Sequence, residues 1–407
     1  MNVSYTLAPW PVIEPDECVA VEQILRSGRV NYWTGAACRD FESAWSQAHG
    51  GMRSLSMANG SLTLDAALRT LGIGPGDEVI VSPRSYVASA MCALLAGATP
   101  VFADVDPDSG CITPATAEAV RSTRTRAVIP VHIGGWPCDM SSFVRWAGQH
   151  GLHIIEDCAQ SHGGHIGGRP LGTFGTFGSW SFCQDKIITT GGAGGILATT
   201  DEALYKRCWS LSQHGKDYDA AMPGRDSPAR ETGGFRWLIS HVGTNLRMTE
   251  MQAAIGLCQL RKLPGWVSLR RRNSLIMQEA LREIGVLRVP TTPDGHAHYR
   301  CVAFVHFEKA RDLRDQLLRK LTAEGLPAMH GSCAEIYREQ AFVKAGATPA
   351  AMGRGPLDAE GRLPNARLLG ETSLTFPCHH TIGEDEMRRY AAAVRRCLER
   401  ALEGARG

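Results

Sequence analysis

The sequence predicts an α/β protein built around a largely parallel sheet that is covered by helices on both faces. From about residue 55 to 200, short apolar and β-branched runs alternate with segments of helix length. Turn signals such as GIGPGDE and ADVDPDSG separate them. Buried parallel strands read as continuous apolar runs, and helical crossovers must connect them. With 407 residues, the chain is long enough for two unequal domains.

The predicted elements of the larger domain follow one another in order. Buried strands are expected at residues 78–82, 99–105, 127–133, 153–158, 178–183 and 195–199. Helices are expected at residues 62–71, 86–96, 114–121, 139–150 and 201–213. This alternation places the carboxyl ends of several strands at one edge of the sheet, where open α/β sheets bind ligands.

A smaller α+β domain is expected after Pro264. An amphipathic segment over 249–262 precedes this proline, and a basic helix over 266–284 follows it. Further elements are expected as a strand at 299–307 and helices at 309–324 and 384–403, with surface loops at 217–234 and 346–363. The predicted division is therefore 1–265 for the N-terminal segment and large domain, and 266–407 for the smaller domain.

Composition and charge favour a cytoplasmic protein without a nucleic-acid or membrane partner. The formal net charge is +2, and no block of lysine and arginine stands out. The N-terminus lacks a basic start followed by an apolar run, so no signal peptide is expected. The longest uncharged stretch, 86–103, is interrupted by Ser89, Gly97 and Pro100, which fits a helix and a strand better than a membrane span. Thirteen scattered cysteines without a CxxC pair indicate reduced thiols and no metal site.

Two features at predicted strand ends carry candidate binding groups. In MANGSLTLDAAL, a Gly-Ser turn opens a helix and presents backbone N–H groups and a hydroxyl to an anion, although Ser61 is also an ordinary N-cap residue. In IIEDCAQSHG, an apolar strand ends in Glu156 and Asp157. A carboxylate there keeps a ring nitrogen protonated, although an isolated aspartate more often caps a helix or forms a loop salt bridge.

A third feature, GSWSFCQDKIITTGGAGG, delivers Ser181 and Lys186 from a strand into a glycine-rich turn. Arginine outnumbers lysine by 36 to 7, and Lys186 is the only lysine in the first 205 residues. A guanidinium is a poor imine-forming amine, whereas a lysine held near neutral pKa by burial and a cationic ring forms and exchanges imines. A solvated loop lysine is the alternative. The order of the three features along one α/β unit favours a cofactor site.

These motifs occur with several others, and together they identify a family resemblance. The others are SGRVNYWTG, SPRSYVAS, HGKD, GTNLRMTEMQAAIGLCQL and SLTFPCHHTI. Over nearly its whole length the sequence resembles the DegT/DnrJ/EryC1/StrS family of pyridoxal-phosphate (PLP)-dependent sugar aminotransferases. The resemblance implies the PLP-dependent transferase fold of type I, with a large, mostly parallel-sheet domain and a smaller C-terminal α+β domain.

The resemblance also implies roles for individual residues. Lys186 is expected to form the Schiff base with the cofactor and to move the proton during catalysis. The expected cofactor contacts are Asp157 to the pyridine nitrogen, Gln160 to the ring or its phenolic oxygen, Tyr86 stacked on the ring, and Gly60, Ser61 and Ser181 around the phosphate.

Three further residues are expected to act at the substrate side or across a dimer. Asn245 is expected to reach the phosphate of the neighbouring subunit, because the family's active sites lie at a homodimer interface. His330 and Tyr32 are the candidate substrate-binding residues. Ala193 departs from many relatives, which carry an acidic residue at that position of the turn, and a local hydrogen bond is expected to be lost there.

The implied activity is transfer of an amino group from glutamate or glutamine, through PLP and its pyridoxamine form, to a nucleotide-linked keto-sugar in antibiotic or polysaccharide biosynthesis. Three alternatives stay open: a cyclitol ketone of the inosose type as substrate, a PLP-dependent lyase or dehydratase, and a regulatory protein that binds the cofactor without turnover. Related dehydratases replace the lysine with histidine, so the presence of Lys186 favours transamination.

Overall fold

The computed structural model describes residues 6–222, 238–306, 310–331 and 334–403. Its strands are β1 (Arg53–Met57), β2 (Glu78–Val81), β3 (Thr99–Phe102), β4 (Thr125–Ile129), β5 (His153–Asp157), β6 (His165–Ile166), β7 (Arg169–Pro170), β8 (Phe177–Ser181), β9 (Gly195–Thr199), β10 (Leu287–Arg288), β11 (Cys301–Val305) and β12 (Ser373–Phe376). Its α-helices are α1 (Pro15–Ser27), α2 (Ala37–Ala48), α3 (Gly60–Leu71), α4 (Ala88–Leu95), α5 (Pro114–Glu118), α6 (Met140–His150), α7 (Glu202–Ser212), α8 (Tyr218–Ala221), α9 (Glu250–Arg282), α10 (Ala310–Ala323), α11 (Gln340–Lys344), α12 (Pro349–Met352), α13 (Pro364–Thr372) and α14 (Glu384–Glu403).

The large sheet has seven strands in the order β1-β9-β8-β5-β4-β2-β3. Strand β9 runs antiparallel to both of its neighbours, and the other adjacent pairs are parallel. The predicted α/β class is confirmed, and each of the six predicted strands is present within a few residues. Strand β1 and helices α1 and α2 were not predicted. Because β1 reads RSLSM, its alternating serines hide an edge strand from a search for apolar runs.

The smaller sheet is antiparallel, with the order β10-β11-β12. Apolar residues from this sheet, from α10 and α14 and from the C-terminal half of α9 form a separate core that includes Met277, Leu317, Phe376 and Tyr390. The predicted α+β character of the C-terminal region is therefore confirmed. None of the helices in the described ranges combines the length and apolar character that a membrane span requires.

Helix α9 is continuous through Pro264, so the expected break of the helix at this proline is wrong. Packing holds both halves of the helix: Leu263 and Trp266 are buried in a core beneath the large sheet, and Met277 in the core of the small sheet. Lys262 adds ion pairs of 2.7–3.0 Å to three carboxylates at the start of α1. The predicted boundary at residue 265 falls inside this helix, and the two-domain division stays a prediction.

The segment after Glu335 returns from the small sheet to the large one. Phe102 of β3 contacts Tyr337 and Phe342 with ring-centroid distances of 5.6 and 5.4 Å, and Leu363 is fully buried in the same core. The expectation of an exposed loop over 346–363 is wrong where Ala347 and Leu363 are buried, because a Gly/Pro-rich composition conceals a few core-forming side chains. Most of the other predicted loop, 217–234, lies outside the described residues.

A buried carboxylate on α2 supports the edge strand β1. Oε1 of Glu42 accepts hydrogen bonds from the backbone N–H and the hydroxyl of Ser56, at 2.9 and 2.7 Å. The hydroxyl of Tyr32 donates to Oε2 at 3.4 Å. Burial raises the pKa of Glu42 to about 7 from an ordinary value of 4.5, despite these hydrogen bonds. The folded protein therefore retains this proton at pH values where the unfolded chain has lost it.

We expect Glu42→Gln to lose less stability than the wild type when the pH is raised from 5 to 8. Below about pH 4.5, Glu42 of the wild type is protonated in both the folded and the unfolded protein. As the pH rises from 4.5 to 7, Glu42 ionises in the unfolded protein but stays protonated in the folded one. The free energy of unfolding of the wild type therefore falls by about 1–3 kcal/mol over this range. The amide that replaces the carboxyl group keeps an acceptor for Ser56 and avoids this loss. Denaturant unfolding at pH 5 and pH 8 measures the effect, with Glu22→Gln on exposed α1 as control. An identical pH dependence in wild type and Glu42→Gln would contradict the prediction.

Candidate active site

One cavity of about 390 Å³ lies at the carboxyl-terminal edge of the large sheet, the expected position for a ligand. It lies between the start of α3, the loop before α4, the end of β5 and the turn after β8. Seven residues singled out in the sequence line it together, namely Gly60, Ser61, Tyr86, Asp157, Gln160, Ser181 and Lys186. Segments that are far apart in sequence thus provide one continuous site.

The start of α3 forms the anion-binding end of the cavity. Asn59 is the N-cap residue, because its side-chain oxygen accepts a hydrogen bond from the Leu62 N–H at 3.0 Å. The N-cap interpretation of Ser61 is therefore wrong, and Ser61 lies in the first turn, facing the cavity. A Cβ atom at Gly60 would lie 2.5 Å from the Cβ of Ser181, so only glycine allows this approach. Backbone N–H groups, the helix dipole and two hydroxyls converge on one place.

Asp157 is buried at the end of β5, with 4% of its surface exposed. Its Oδ2 accepts a hydrogen bond from the Ser89 hydroxyl at 2.6 Å, and its Oδ1 accepts one from the Ala159 N–H at 3.1 Å. The hydroxyls of Ser85 and Ser89 lie 2.6 Å apart. These contacts fix the carboxylate in the wall of the cavity. Ser89, which lies on α4, was not among the predicted site residues.

Two residues line the cavity near Asp157. Gln160 is buried, and its Oε1 accepts a hydrogen bond from the Gly134 N–H at 2.8 Å, which orients the amide. Tyr86 is 65% exposed, so little of its ring is covered by its own chain. Its position beside the cavity leaves the ring available to stack on a planar ligand.

The neighbouring Glu156 has a structural function. Its Oε1 accepts hydrogen bonds from the N–H groups of Phe174 and Gly175 at 2.6 and 2.7 Å, and its Oε2 accepts one from Gly172 at 2.9 Å. Nε2 of His132 lies 3.3 Å from the same Oε2. Because Nδ1 of His132 accepts from the Cys138 N–H at 3.0 Å, Nε2 carries the proton and donates it to the carboxylate.

The atoms around Glu156 also satisfy a distance criterion for metal ligands. Potential ligand atoms of His132, Glu156 and Cys158 lie within 4.8 Å of one another, and all three residues are buried. The carboxylate oxygens already accept hydrogen bonds from three backbone N–H groups and an imidazole. This arrangement satisfies the carboxylate as a hydrogen-bonded group, and we interpret it as part of the scaffold.

Lys186 lies in the turn after β8, with 14% of its side chain exposed. Its Nζ is 3.6 Å from Oδ2 of Asp185 and 5.2 Å from the ring centroid of Tyr299. Burial alone would lower the pKa of Lys186, but Tyr299 and Asp185 outweigh it and raise the pKa above its ordinary value. Burial by the chain alone therefore does not bring the pKa of Lys186 near neutral, and the expected effect of burial combined with a nearby cationic ring stays a prediction.

The glycine-rich turn after Lys186 is held without an acidic side chain. The carbonyl oxygen of Ala193 accepts hydrogen bonds from the Thr190 hydroxyl at 2.6 Å and from Nε2 of Gln252 at 2.7 Å. These bonds show how the turn is fixed in the presence of Ala193.

The other three predicted site residues lie outside the cavity. Asn245 is exposed, and its Oδ1 accepts a hydrogen bond from the Arg247 N–H at 3.2 Å. His330 has a side chain that is 68% exposed and lies 3.5 Å from Asp315. Tyr32 is only 4% exposed and packs within the core beneath α2. The structure does not bring these residues to the cavity of their own chain, and their roles stay predictions.

Comparisons with known proteins show the family of the chain. Residues 11–395 match the model of the DegT/DnrJ/EryC1/StrS aminotransferase family. The chain is 34% identical to UDP-N-acetyl-3-dehydro-alpha-D-glucosamine 3-aminotransferase of Acidithiobacillus ferrooxidans, over 86% of this chain and 85% of the relative. It is 35% identical to L-glutamine:2-deoxy-scyllo-inosose aminotransferase of Streptomyces kanamyceticus, over 72% and 70% of the two chains.

A solved structure gives the same result. The crystal structure of an aminotransferase from Psychrobacter cryohalolentis superposes with a TM-score of 0.89 at 40% identity, over 97% of this chain and 100% of the other. The family match and the structural match each cover nearly the whole length of the chain. The chain belongs to the DegT/DnrJ/EryC1/StrS aminotransferase family, and it is a PLP-dependent aminotransferase.

Proposed function

We propose that this enzyme transfers an amino group from glutamate or glutamine, by way of PLP and its pyridoxamine form, to a nucleotide-linked keto-sugar in amino-sugar biosynthesis. The observation that carries the proposal is the cavity that holds an amine, a buried carboxylate and an anion-binding helix start. PLP carries an aldehyde, a pyridine nitrogen and a phosphate, which are complementary to Lys186, Asp157 and the start of α3 in turn.

The residues present fit PLP. The missing Cβ of Gly60 lets the start of α3 approach Ser181, which leaves N–H groups and hydroxyls facing the place where a phosphate would bind. Asp157 lies along the same cavity wall with Gln160, which suits a flat ring between these two ends. When bound, PLP supplies an electron sink that stabilises negative charge on the substrate carbon.

The residues of the chain then have separate tasks. Asp157, fixed by the hydroxyl of Ser89 and the N–H of Ala159, holds a proton at the ring nitrogen through its negative charge. The amine of Lys186 would move the proton between the substrate carbon and C4′ of the cofactor. Only 14% of the Lys186 side chain is exposed, which limits exchange of that proton with bulk water. Tyr86 lies beside the cavity, where its ring is available to stack on the cofactor.

We expect the purified protein, supplied with PLP, to show a visible absorbance band that bleaches when glutamate or glutamine is added. Lys186→Ala should lack the covalent link to the cofactor and lose about 10²–10⁴-fold in donor-dependent turnover, because it lacks the group that transfers the proton. Lys206→Ala is the matched control, since Lys206 lies in an exposed ion pair on α7. A Lys186→Ala protein with wild-type spectrum and turnover would remove Lys186 from its assigned role.

The choice of keto substrate rests on the relatives. The enzyme from Acidithiobacillus ferrooxidans, which matches over 86% of this chain, is named for a UDP-linked 3-keto-sugar. A cyclitol ketone is the second candidate, because the inosose aminotransferase from Streptomyces kanamyceticus is 35% identical over 72% of the chain.

We expect the pyridoxamine form of the enzyme to regain its visible band with a UDP-linked 3-keto-sugar or a dTDP-linked 4-keto-sugar. Rapid mixing with each substrate measures the rate, and 2-deoxy-scyllo-inosose is the comparison. A response to the inosose alone would favour the cyclitol activity. Mass spectrometry of the product separates transamination, which adds an amino group, from dehydration, which removes water.

We further propose that the enzyme is a homodimer in which Asn245 serves the partner's phosphate site. Its exposed position outside its own cavity supports this assignment. Lys186→Ala and Asn245→Ala should each be impaired alone. A mixed dimer of the two should regain activity, because one of its two sites then has an intact lysine and an intact asparagine from the partner. No recovery in mixed dimers separated by two affinity tags would contradict the shared site.

A further inference from the structure

Two residues, Asp185 and Tyr299, surround the amine of Lys186. The Tyr299 hydroxyl donates a hydrogen bond to Oδ2 of Asp185, the same oxygen that lies 3.6 Å from Nζ of Lys186. The Tyr299 ring lies beneath this amine, with its centroid 5.2 Å from Nζ. The carboxylate of Asp185 thus connects Lys186, the next residue in the chain, to Tyr299. Tyr299 lies just before strand β11 of the small sheet.

The backbone that carries Tyr299 is tightly fixed. The N–H of Tyr299 donates to the carbonyl of Gly134 at 3.2 Å, and the N–H of Ala297 donates to that of Gly135 at 2.9 Å. His298 between them has a positive φ of 50°, an uncommon conformation for a residue with a Cβ. A Cβ on Gly135 would lie 2.9 Å from the backbone nitrogen of His298. The position of Tyr299 is therefore fixed by the turn that follows β4.

Lys186 is held from a second direction. Nε1 of Trp10 donates a hydrogen bond to its carbonyl oxygen at 3.0 Å, so the backbone of the turn is fixed while the amine stays directed to Asp185. Burial and the positive charge of Lys186 lower the pKa of the neighbouring His162 to about 3, so this imidazole is neutral. Cys183, the other titratable neighbour, favours the charged lysine. Asp185 is the acidic side chain that lies within 4 Å of Nζ among the residues that the structure describes.

We propose that Asp185, held by the Tyr299 hydroxyl, is a positioning residue of the reaction that keeps the protonated amine of Lys186 over the cavity whenever that amine is not covalently bound. The inference rests on the proposed function, in which the amine takes a proton from the substrate carbon. In that step the C–H bond breaks, an N–H bond forms at Nζ, and the electron pair of the C–H bond stays on the substrate side. The negative charge of Asp185 offsets the new ammonium, and Tyr299 keeps its own proton.

The test measures the protonation of Lys186 in the full-length protein freed of cofactor. Competitive labelling with acetic anhydride between pH 7 and 11, followed by mass spectrometry, gives the apparent pKa of each lysine amine. We expect Asp185→Asn to lower the apparent pKa of Lys186 by about one unit or more, so that it is labelled about tenfold faster near neutral pH. Tyr299→Phe should also lower it, because Asp185 loses the hydrogen bond that holds its carboxylate beside the amine.

A matched pair of residues provides the control. Lys206 lies 2.7 Å from Asp219 in an exposed ion pair, and neither residue lines the cavity. Asp219→Asn should alter labelling of Lys206 and leave Lys186 unchanged, whereas Asp185→Asn should do the reverse. With cofactor loaded, Asp185→Asn should also reduce kcat about tenfold and leave the KM for the amino donor within about twofold, because the residue acts through the lysine and not on the donor.

Each outcome decides the proposal. An unchanged pH profile of Lys186 in a folded Asp185→Asn protein, as judged by circular dichroism, would overturn it. If this variant does not fold, Tyr299→Phe decides: a lower apparent pKa of Lys186 supports the proposal, and a wild-type value refutes it. An enzyme that fails to transaminate would contradict the proposed function. The labelling experiment needs no cofactor, so it would still measure the interaction between Asp185 and Lys186 in that case.

Discussion

The geometry of the site depends on the buried carboxylate of Glu156. Four hydrogen bonds reach its two oxygens, from the N–H groups of Gly172, Phe174 and Gly175 and from the imidazole of His132. They join the end of β5 to the segment after β4 and to the loop that leads into β8. A buried carboxylate that lost these donors would have to be desolvated without compensation, which costs several kcal/mol. The positions of Asp157 and of β8, which carries Ser181 toward Lys186, follow from this arrangement.

Around that scaffold, close packing places the functional groups. Gly60 lets the start of α3 approach Ser181, and a Cβ at Gly195 would lie 2.7 Å from the backbone of Asn59. The start of α3 therefore packs directly against strands β8 and β9. From the opposite side, Gly134 and Gly135 fix the backbone before Tyr299. The site therefore relies on close backbone contacts that glycine alone permits, and the polar side chains are placed by them.

Much of the site could be predicted from the sequence because its residues lie where strands end. Asp157 and Ser181 are the last residues of strands β5 and β8, and Gly60 begins helix α3, so the local sequence pattern was enough to find them although the cap was assigned to Ser61 instead of Asn59. Ser89 and Tyr299 could not be found in this way. The hydrogen bond from Ser89 to Asp157 spans 68 residues of chain and that from Tyr299 to Asp185 spans 114, and neither leaves a periodic signal. The raised pKa of Lys186 was not predicted for the same reason, because it depends on the distant Tyr299.

In the fold as well, elements set by the local sequence could be predicted, whereas elements that depend on contacts distant in sequence could not. Central strands were predicted well, because burial on both faces makes them uniformly apolar. Helix α9 was predicted to break at Pro264, since the contacts that carry it through the proline come from α1 and from both cores. Tyr32 was assigned to the substrate side, whereas its ring is buried in this chain.

The return of residues 336–369 to the large sheet has a consequence for biosynthesis of the protein. Tyr337, Phe342 and Leu369 fill the core around β3, yet the chain reaches them only after the helix and the strands that begin the small sheet. A nascent chain leaving the ribosome therefore carries a large sheet with exposed apolar surface until nearly all of its length has been made. Premature termination would therefore yield a fragment prone to aggregation and proteolysis.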